Sequence, residues 1–193
     1  MRLPAFLRHR RLRPDLFRGK QVLDLGCGRK KLAGAVGLDR APLPGVDVVA
    51  DLERGLPFPA ASFDAVLANQ VLEHVRDLVG LVHEIHRVLR PGGMLVAHVP
   101  YFRSAWAHID PTHVRSFTIN SMDYFVAGTS CHRDYRFGEA AFRRLEVLLD
   151  SDFRPRVLRA LFAALALRFP QRYENSFLSN LFVFQQLTFV LEK

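Results

Sequence analysis

The chain has little cysteine and little tryptophan: Cys27, Cys131 and Trp106 are all there is in 193 residues. Two such thiols provide no disulfide framework, so a reducing cytoplasm is the expected setting. No apolar run reaches the ~18 uncharged residues needed to span a bilayer. Residues 1–7 are too short and too interrupted for a secretory h-region. There is no internal repeat and no low-complexity segment. Acidic residues are scarce, with 19 Asp and Glu against 27 Lys and Arg, which leaves a formal charge of +8. What is abundant is apolar side chain, 49% of the residues. That share excludes a disordered composition. The length suits one domain, residues 1–193, large enough to bury a core.

The positive charge gathers toward two segments. Arg2, Arg8, Arg10, Arg11, Arg13, Arg18 and Lys20 crowd a basic N-terminal segment over residues 1–19 and its border. Arg154, Arg156, Arg159, Arg168 and Arg172 crowd a later one. Such surfaces attract nucleic acid, anionic lipid or acidic substrates. No aromatic-interleaved RNA-binding module accompanies them, so a solvated basic face without a sequence-specific nucleic-acid partner is the expectation.

The most informative stretch is Val22-Leu23-Asp24-Leu25-Gly26-Cys27-Gly28. It reads as a buried strand ending in an acid and a glycine turn. Open α/β sheets bind ligands at that end of the strand. Residues without a Cβ let the backbone turn tightly and approach a ligand. Asp24 suits a cationic, amino-acid-like group better than a pyrophosphate. Gly37-Leu38-Asp39 reads as a second strand closed by an acid, and a carboxylate there can accept both hydroxyls of a ribose. Residues 46–52 form a third short segment, ending at Asp51 and Leu52. Residues 62–68 give a fourth strand that runs into Asn69, Gln70 and Val71. Leu78, Leu81, Val82, Ile85, Val88 and Leu89 then mark one face of a helix. Arg90-Pro91-Gly92-Gly93 is placed to end that helix, and residues 94–99 make a fifth strand. Strand, turn, helix and strand in this order predict a parallel sheet with crossover helices.

These segments resemble the class I S-adenosylmethionine-dependent methyltransferases. The resemblance rests on Asp24-Leu25-Gly26-Cys27-Gly28, Gly37-Leu38-Asp39, Asp51, Leu56-Pro57-Phe58, Ser62-Phe63-Asp64, Leu72-Glu73-His74-Val75 and Leu89-Arg90-Pro91-Gly92-Gly93, in the family's order over roughly residues 20–100. It implies an α/β, Rossmann-like fold: a seven-stranded, mostly parallel sheet with an antiparallel last strand and helices on both faces. It also implies S-adenosyl-L-methionine as cofactor, held by Asp24, Leu25, Gly26, Cys27, Gly28, Asp39, Arg40, Asp51, Leu52, Asn69, Gln70, Val71 and His74. One departure stands out. Gly28 and Asp39 are too close for a normal helix of ~11 residues followed by a strand. A brief turn is expected there, with a more open floor. This shortened version, with Asp110-Pro111-Thr112-His113 after the fifth strand, resembles a subgroup of the family and extends the likeness to about residue 125.

Past the fifth strand, residues 100–117 should lie over the carboxyl end of the sheet, as one wall of an acceptor pocket. They carry Tyr101, Arg103, His108, Asp110 and His113. Three readings remain open. A His or Tyr acts as general base, with Tyr101, His108, Asp110 and His113 as the catalytic candidates. Alternatively, His108, Asp110 and His113 bind metal, with Cys131 or His132, although the spacing fits no template and no metal is assigned. In the third, Asp110-Pro111-Thr112 caps a short helix and the histidines bond locally.

Residues 157–169 read as a helix apolar on more than one face, within a helical insertion spanning 153–180. Such a helix covers the core, or meets a partner or a membrane surface. Pro155 suits its start and Pro170 its stop. Residues 144–149 and 187–191 read as the last two strands. The expected function is methyl transfer to a small-molecule or lipid-like acceptor, with peripheral membrane contact as an accompanying expectation. A non-catalytic donor-binding module and an RNA methyltransferase are the alternatives.

Overall fold

The computed structural model describes residues 16–193 except 136, 139 and 152–155. Much of the basic N-terminal segment and Pro155 lie outside those residues. Seven strands form one sheet in the order β3-β2-β1-β4-β5-β7-β6. They are β1 (Val22–Leu25), β2 (Val36–Asp39), β3 (Val48–Val49), β4 (Phe63–Asn69), β5 (Leu89–Pro100), β6 (Arg143–Asp150) and β7 (Gln186–Glu192). β1 to β5 pair in parallel, and β7 runs antiparallel to both β5 and β6. The chain order reverses between β1 and β4, which creates a crevice at the carboxyl edge.

Side chains alternate across the strands, as the two-residue period of a pleated strand requires. Leu23, Leu25, Val66, Ala68, Leu95, Ala97, Leu187 and Phe189 feed the larger core. Val22, Ala65, Leu67, Val96 and Val190 point to a smaller cluster on the other face. Helix α1 (Leu78–Val88) buries Leu78, Leu81, Val82, Ile85 and Val88, all in the larger core. Its start is fixed by Asp77, whose carboxylate accepts the Gly80 N–H at 2.8 Å. That is an ordinary N-cap.

Two expectations change. Residues 90–93 are not a free turn. β5 begins at Leu89, directly after α1. Lys193 pairs with this segment through Gly92 N–H to Lys193 O at 3.0 Å and Lys193 N–H to Gly93 O at 2.9 Å. Arg90 also pairs with Asp64 at 2.7 Å. Pairing with the last strand thus extends residues that local sequence marks as a turn. The third segment shrinks to a two-residue strand, because Asp51 turns the chain by capping a 3-10 turn through Glu53 N–H at 3.1 Å.

Between β1 and β2 there is only turn, as the spacing predicts. Among the described residues the smaller cluster is accordingly covered by Leu16, Phe17 and Leu32 rather than by a described helix. Between β6 and β7 lie α4 (Arg156–Arg168), α5 (Pro170–Glu174) and α6 (Leu178–Leu181), with Ala166, Tyr173 and Phe182 reaching the larger core. Two short helices, α2 (Trp106–Ile109) and α3 (Ser130–Tyr135), follow β5.

Candidate functional site

The acid-ended strands meet at the carboxyl edge, because β2, β1 and β4 are neighbours. Asp24 is buried, and its Oδ2 accepts the Leu32 N–H at 2.7 Å. Burial pushes its pKa up, against the pull of the Leu32 hydrogen bond and the Lys31 charge. Asp39 accepts the Gly28 N–H at 3.0 Å and the Ala41 N–H at 2.9 Å, so it holds the glycine turn against β2. Cys27 is buried too, and burial, with Asp24 and Asp39, pushes its thiol up, away from reactivity. Gly26 takes φ +58°, and a Cβ there would lie 2.6 Å from Val71 Cγ2. The turn after β1 and the segment after β4 are therefore in contact.

After Asn69, Gln70 adopts φ +57°, a conformation that non-glycine residues seldom take. Its N–H donates to His98 O at 2.9 Å. This bend carries the chain off β4 into the 3-10 turn Leu72–His74. Arg40 is exposed, and its charge reaches His74. Asp51 and Leu52 follow β3 at the far side of the same edge. The edge thus brings together the residues expected to hold the cofactor.

The loop after β5 docks onto the Leu72–His74 turn. Val114 N–H donates to Glu73 O at 2.9 Å. Arg115 binds Val75 O and Arg76 O, each at 2.7 Å. His74 and His113 meet edge to face with ring centroids 4.7 Å apart. His74 Nδ1 lies 2.9 Å from Thr112 Oγ1, whose hydroxyl donates to Asp110 Oδ1 at 2.7 Å. The Thr112 proton is committed to Asp110, so neutral His74 carries its proton on Nδ1. The Thr112 bonds hold Asp110 below the usual carboxylate range, while burial and then His113 lower His74.

Glu73 sits in the same place, fully buried, with neither carboxylate oxygen hydrogen-bonded. Burial pushes its pKa up to about 7. Glu73, His74 and His113 each offer a ligand atom, all within 4.8 Å of one another.

Tyr101 and His108 go elsewhere, while Asp110 stays beside the group through Thr112. Tyr101 is fully buried against Phe102 and Phe184. Burial, then the Glu174 charge, drives its hydroxyl far above the ordinary range. A phenol so placed is a core residue in its environment. His108 is exposed and its Nε2 lies 3.0 Å from Phe102 O, apart from the group around His113. Asp110 serves Thr112. The reading that grouped His108, Asp110 and His113 is replaced by one that groups His113 with Glu73 and His74. Cys131 and His132 lie on α3, outside this group. Both partners of His113 stand in Leu72-Glu73-His74-Val75, so the residues are visible in the sequence while their apposition is not.

Residues 35–97 match a protein family described as a methyltransferase domain. A "probable S-adenosylmethionine-dependent methyltransferase" of Mycolicibacterium smegmatis is 37% identical over 99 residues, 42% of this chain and 38% of that protein. A ubiquinone biosynthesis O-methyltransferase of Methylocella silvestris is 35% identical over 108 residues, 45% of this chain and 42% of its own length. The matched stretch therefore spans well under half of either relative. The crystal structure of a SAM-dependent methyltransferase from Archaeoglobus fulgidus superposes with a TM-score of 0.60 at 17% identity, over 92% of this chain and 88% of that one. This last likeness concerns the fold. A seven-stranded sheet with one antiparallel strand and acid-ended β1 and β2 accompanies these likenesses, and over part of its length the chain is similar to S-adenosylmethionine-dependent methyltransferases.

Proposed function

We propose that this protein transfers a methyl group to a small-molecule or lipid-like acceptor. The observation that carries the reading is the apposition of Val71 to Gly26, in the turn whose backbone N–H groups are held by Asp24 and Asp39. A turn without room for a Cβ beside two acids fits a ligand bearing an ammonium group and a ribose. Asp24, Leu25, Gly26, Cys27 and Gly28 would face the methionine portion of the donor. Asp39 and Arg40 would face the ribose, Asp51 and Leu52 the adenine, and Asn69, Gln70, Val71 and His74 the opposite wall. The sulfonium supplies an activated methyl group. The chain's own task is to bind, orient and keep water out, and proximity alone can contribute about 7–11 kcal/mol.

The acceptor is proposed to enter beside the loop after β5. His113 and His74 line that entrance, with Asp110 orienting His74 through Thr112. Trp106 and Ile109 on α2 are 58% and 69% exposed. Val157, Leu161, Phe177 and Leu181 of the cover helices and their linker are exposed as well. Arg168 and Arg172 lie over the Phe169 ring among them. Apolar side chains rimmed by arginine suit an anionic lipid surface. These features support a lipid-like acceptor and peripheral membrane contact. The name of the Methylocella silvestris relative points the same way. Among the described residues no helix is long and apolar enough to cross a membrane. Two free cysteines fit the cytoplasm.

The test is incubation with isotopically methyl-labelled donor and a total lipid extract, followed by mass spectrometry. Label in one lipid-soluble product supports the reading. Donor binding by calorimetry without any labelled product, from lipid or aqueous extract, would favour a non-catalytic donor-binding module. Label in RNA would favour an RNA methyltransferase.

A further inference from the structure

We propose that Glu73, His74 and His113 form a binding site for one divalent transition-metal ion of the zinc type. Their ligand atoms lie within 4.8 Å of one another. Two imidazoles and one carboxylate form a set that suits zinc and its neighbours, and leaves a position for an outside oxygen. Magnesium and calcium prefer sites built of oxygen alone.

The independent observation is Glu73. It is fully shielded from solvent, yet both its oxygens lack a hydrogen-bond partner. Buried polar groups ordinarily have partners, and an orphaned carboxylate asks for a cation or a proton. Among the described residues no guanidinium or ammonium group is bonded to it. Arg115, from the neighbouring loop, spends its hydrogen bonds on Val75 O and Arg76 O.

The histidines are prepared in the way metal ligands are. His74 turns Nδ1 to Thr112, which is anchored on Asp110. His113 turns Nδ1 to the Ala107 carbonyl at 3.3 Å. In each ring Nε2 is left with a lone pair, and the outer contact fixes the tautomer, as in carboxylate–histidine–metal arrangements. Zinc bonds of ~2.0–2.2 Å in a tetrahedral set require the ligand atoms to draw together by up to about 1.4 Å from their widest separation. Rotation of the partly exposed His113, on a loop, supplies that movement. The exposed Arg40 adds an opposing charge near His74, and Asp110 offsets it.

Binding of the ion stands apart from methyl transfer and is read without it. Full-length protein stripped with chelator is titrated with Zn2+ against a chromophoric chelator, and separately with Co2+ followed by visible absorption. One ion per chain and tetrahedral-type Co2+ bands are expected. His113→Ala and Glu73→Gln should each weaken Zn2+ binding by more than ~100-fold, and Thr112→Val by about 10–100-fold through the outer contact. Circular dichroism confirms that the variants are folded. Should Glu73→Gln fail to fold, His113→Ala on the exposed loop carries the test. Folded wild-type protein that takes up no Zn2+ or Co2+ at micromolar concentration would overturn the proposal. So would uptake that His113→Ala leaves unchanged, or Mg2+ competing on equal terms with Zn2+.

Discussion

A Cβ on Gly26 would stand 2.6 Å from Cγ2 of Val71, with Gly26 itself at φ +58°. Two segments far apart in sequence thus approach until only a hydrogen fits between them. Gly26→Ala meets both the contact and the backbone conformation, at a cost of about 1–3 kcal/mol. Gly26→Val should be worse and should abolish donor binding. Calorimetry with S-adenosylhomocysteine, paired with thermal unfolding, measures both. Unchanged affinity in the valine variant would remove the donor from this turn.

Asp39→Ala leaves the N–H groups of Gly28 and Ala41 without their acceptor. Each orphaned donor costs on the order of 1–3 kcal/mol if water does not replace the carboxylate. Donor affinity should fall as well, since the same carboxylate is proposed to meet the ribose. Asp39→Asn, which keeps one acceptor oxygen, should lie between. A variant with lowered melting temperature and intact donor affinity would confine Asp39 to the turn.

Burial of His98, with Nδ1 2.7 Å from Thr188 Oγ1, lowers its pKa from 6.5 to about 4, although the Asp150 charge opposes the shift. Between these values the unfolded chain holds a proton that the folded chain refuses. The contribution is therefore fully present above pH 6.5 and is lost as the pH falls through 4. Its size is on the order of 3 kcal/mol. His98→Asn cannot titrate, so its urea unfolding should depend less on pH between 7 and 4.5. Parallel pH profiles for the two proteins would show that His98 is not the group responsible.

Arg87 bonds both oxygens of Glu84 and the carbonyls of Leu56 and Phe58, and Glu84 accepts the Leu56 N–H at 2.8 Å. One guanidinium thereby ties α1 to the loop before β4. Arg87→Lys keeps the charge but loses the planar fork, and should cost about 1–3 kcal/mol. Denaturant unfolding gives the value. A loss below ~0.5 kcal/mol would mean that water takes over the carbonyls.

Leu161 and Phe177 are 60% and 72% exposed. Leu161→Ser with Phe177→Ser should shift stability by no more than about 0.5 kcal/mol per site. Cosedimentation with anionic vesicles should drop in the same variant. Unchanged sedimentation would detach these helices from the proposed membrane contact.

The acid-ended strands were legible because each is a local pattern: an apolar run, an acid, a glycine. The apolar face of α1 was legible for the same reason, since its 3.6-residue period needs no distant partner. The absence of a helix between β1 and β2 followed from chain length alone. Tertiary structure decided the rest. Residues 90–93 carry turn chemistry, yet Lys193 pairs with them and draws them into β5. Tyr101 stands in a polar, aromatic segment, yet it packs into the core beside Phe184. Glu73 and His113 lie on separate segments, and Val114 bonded to the Glu73 carbonyl is what brings them face to face. Periodicity and spacing report what a segment does along itself. Which side chains share a buried pocket depends on how loops dock across the sheet edge, and only the folded chain determines that.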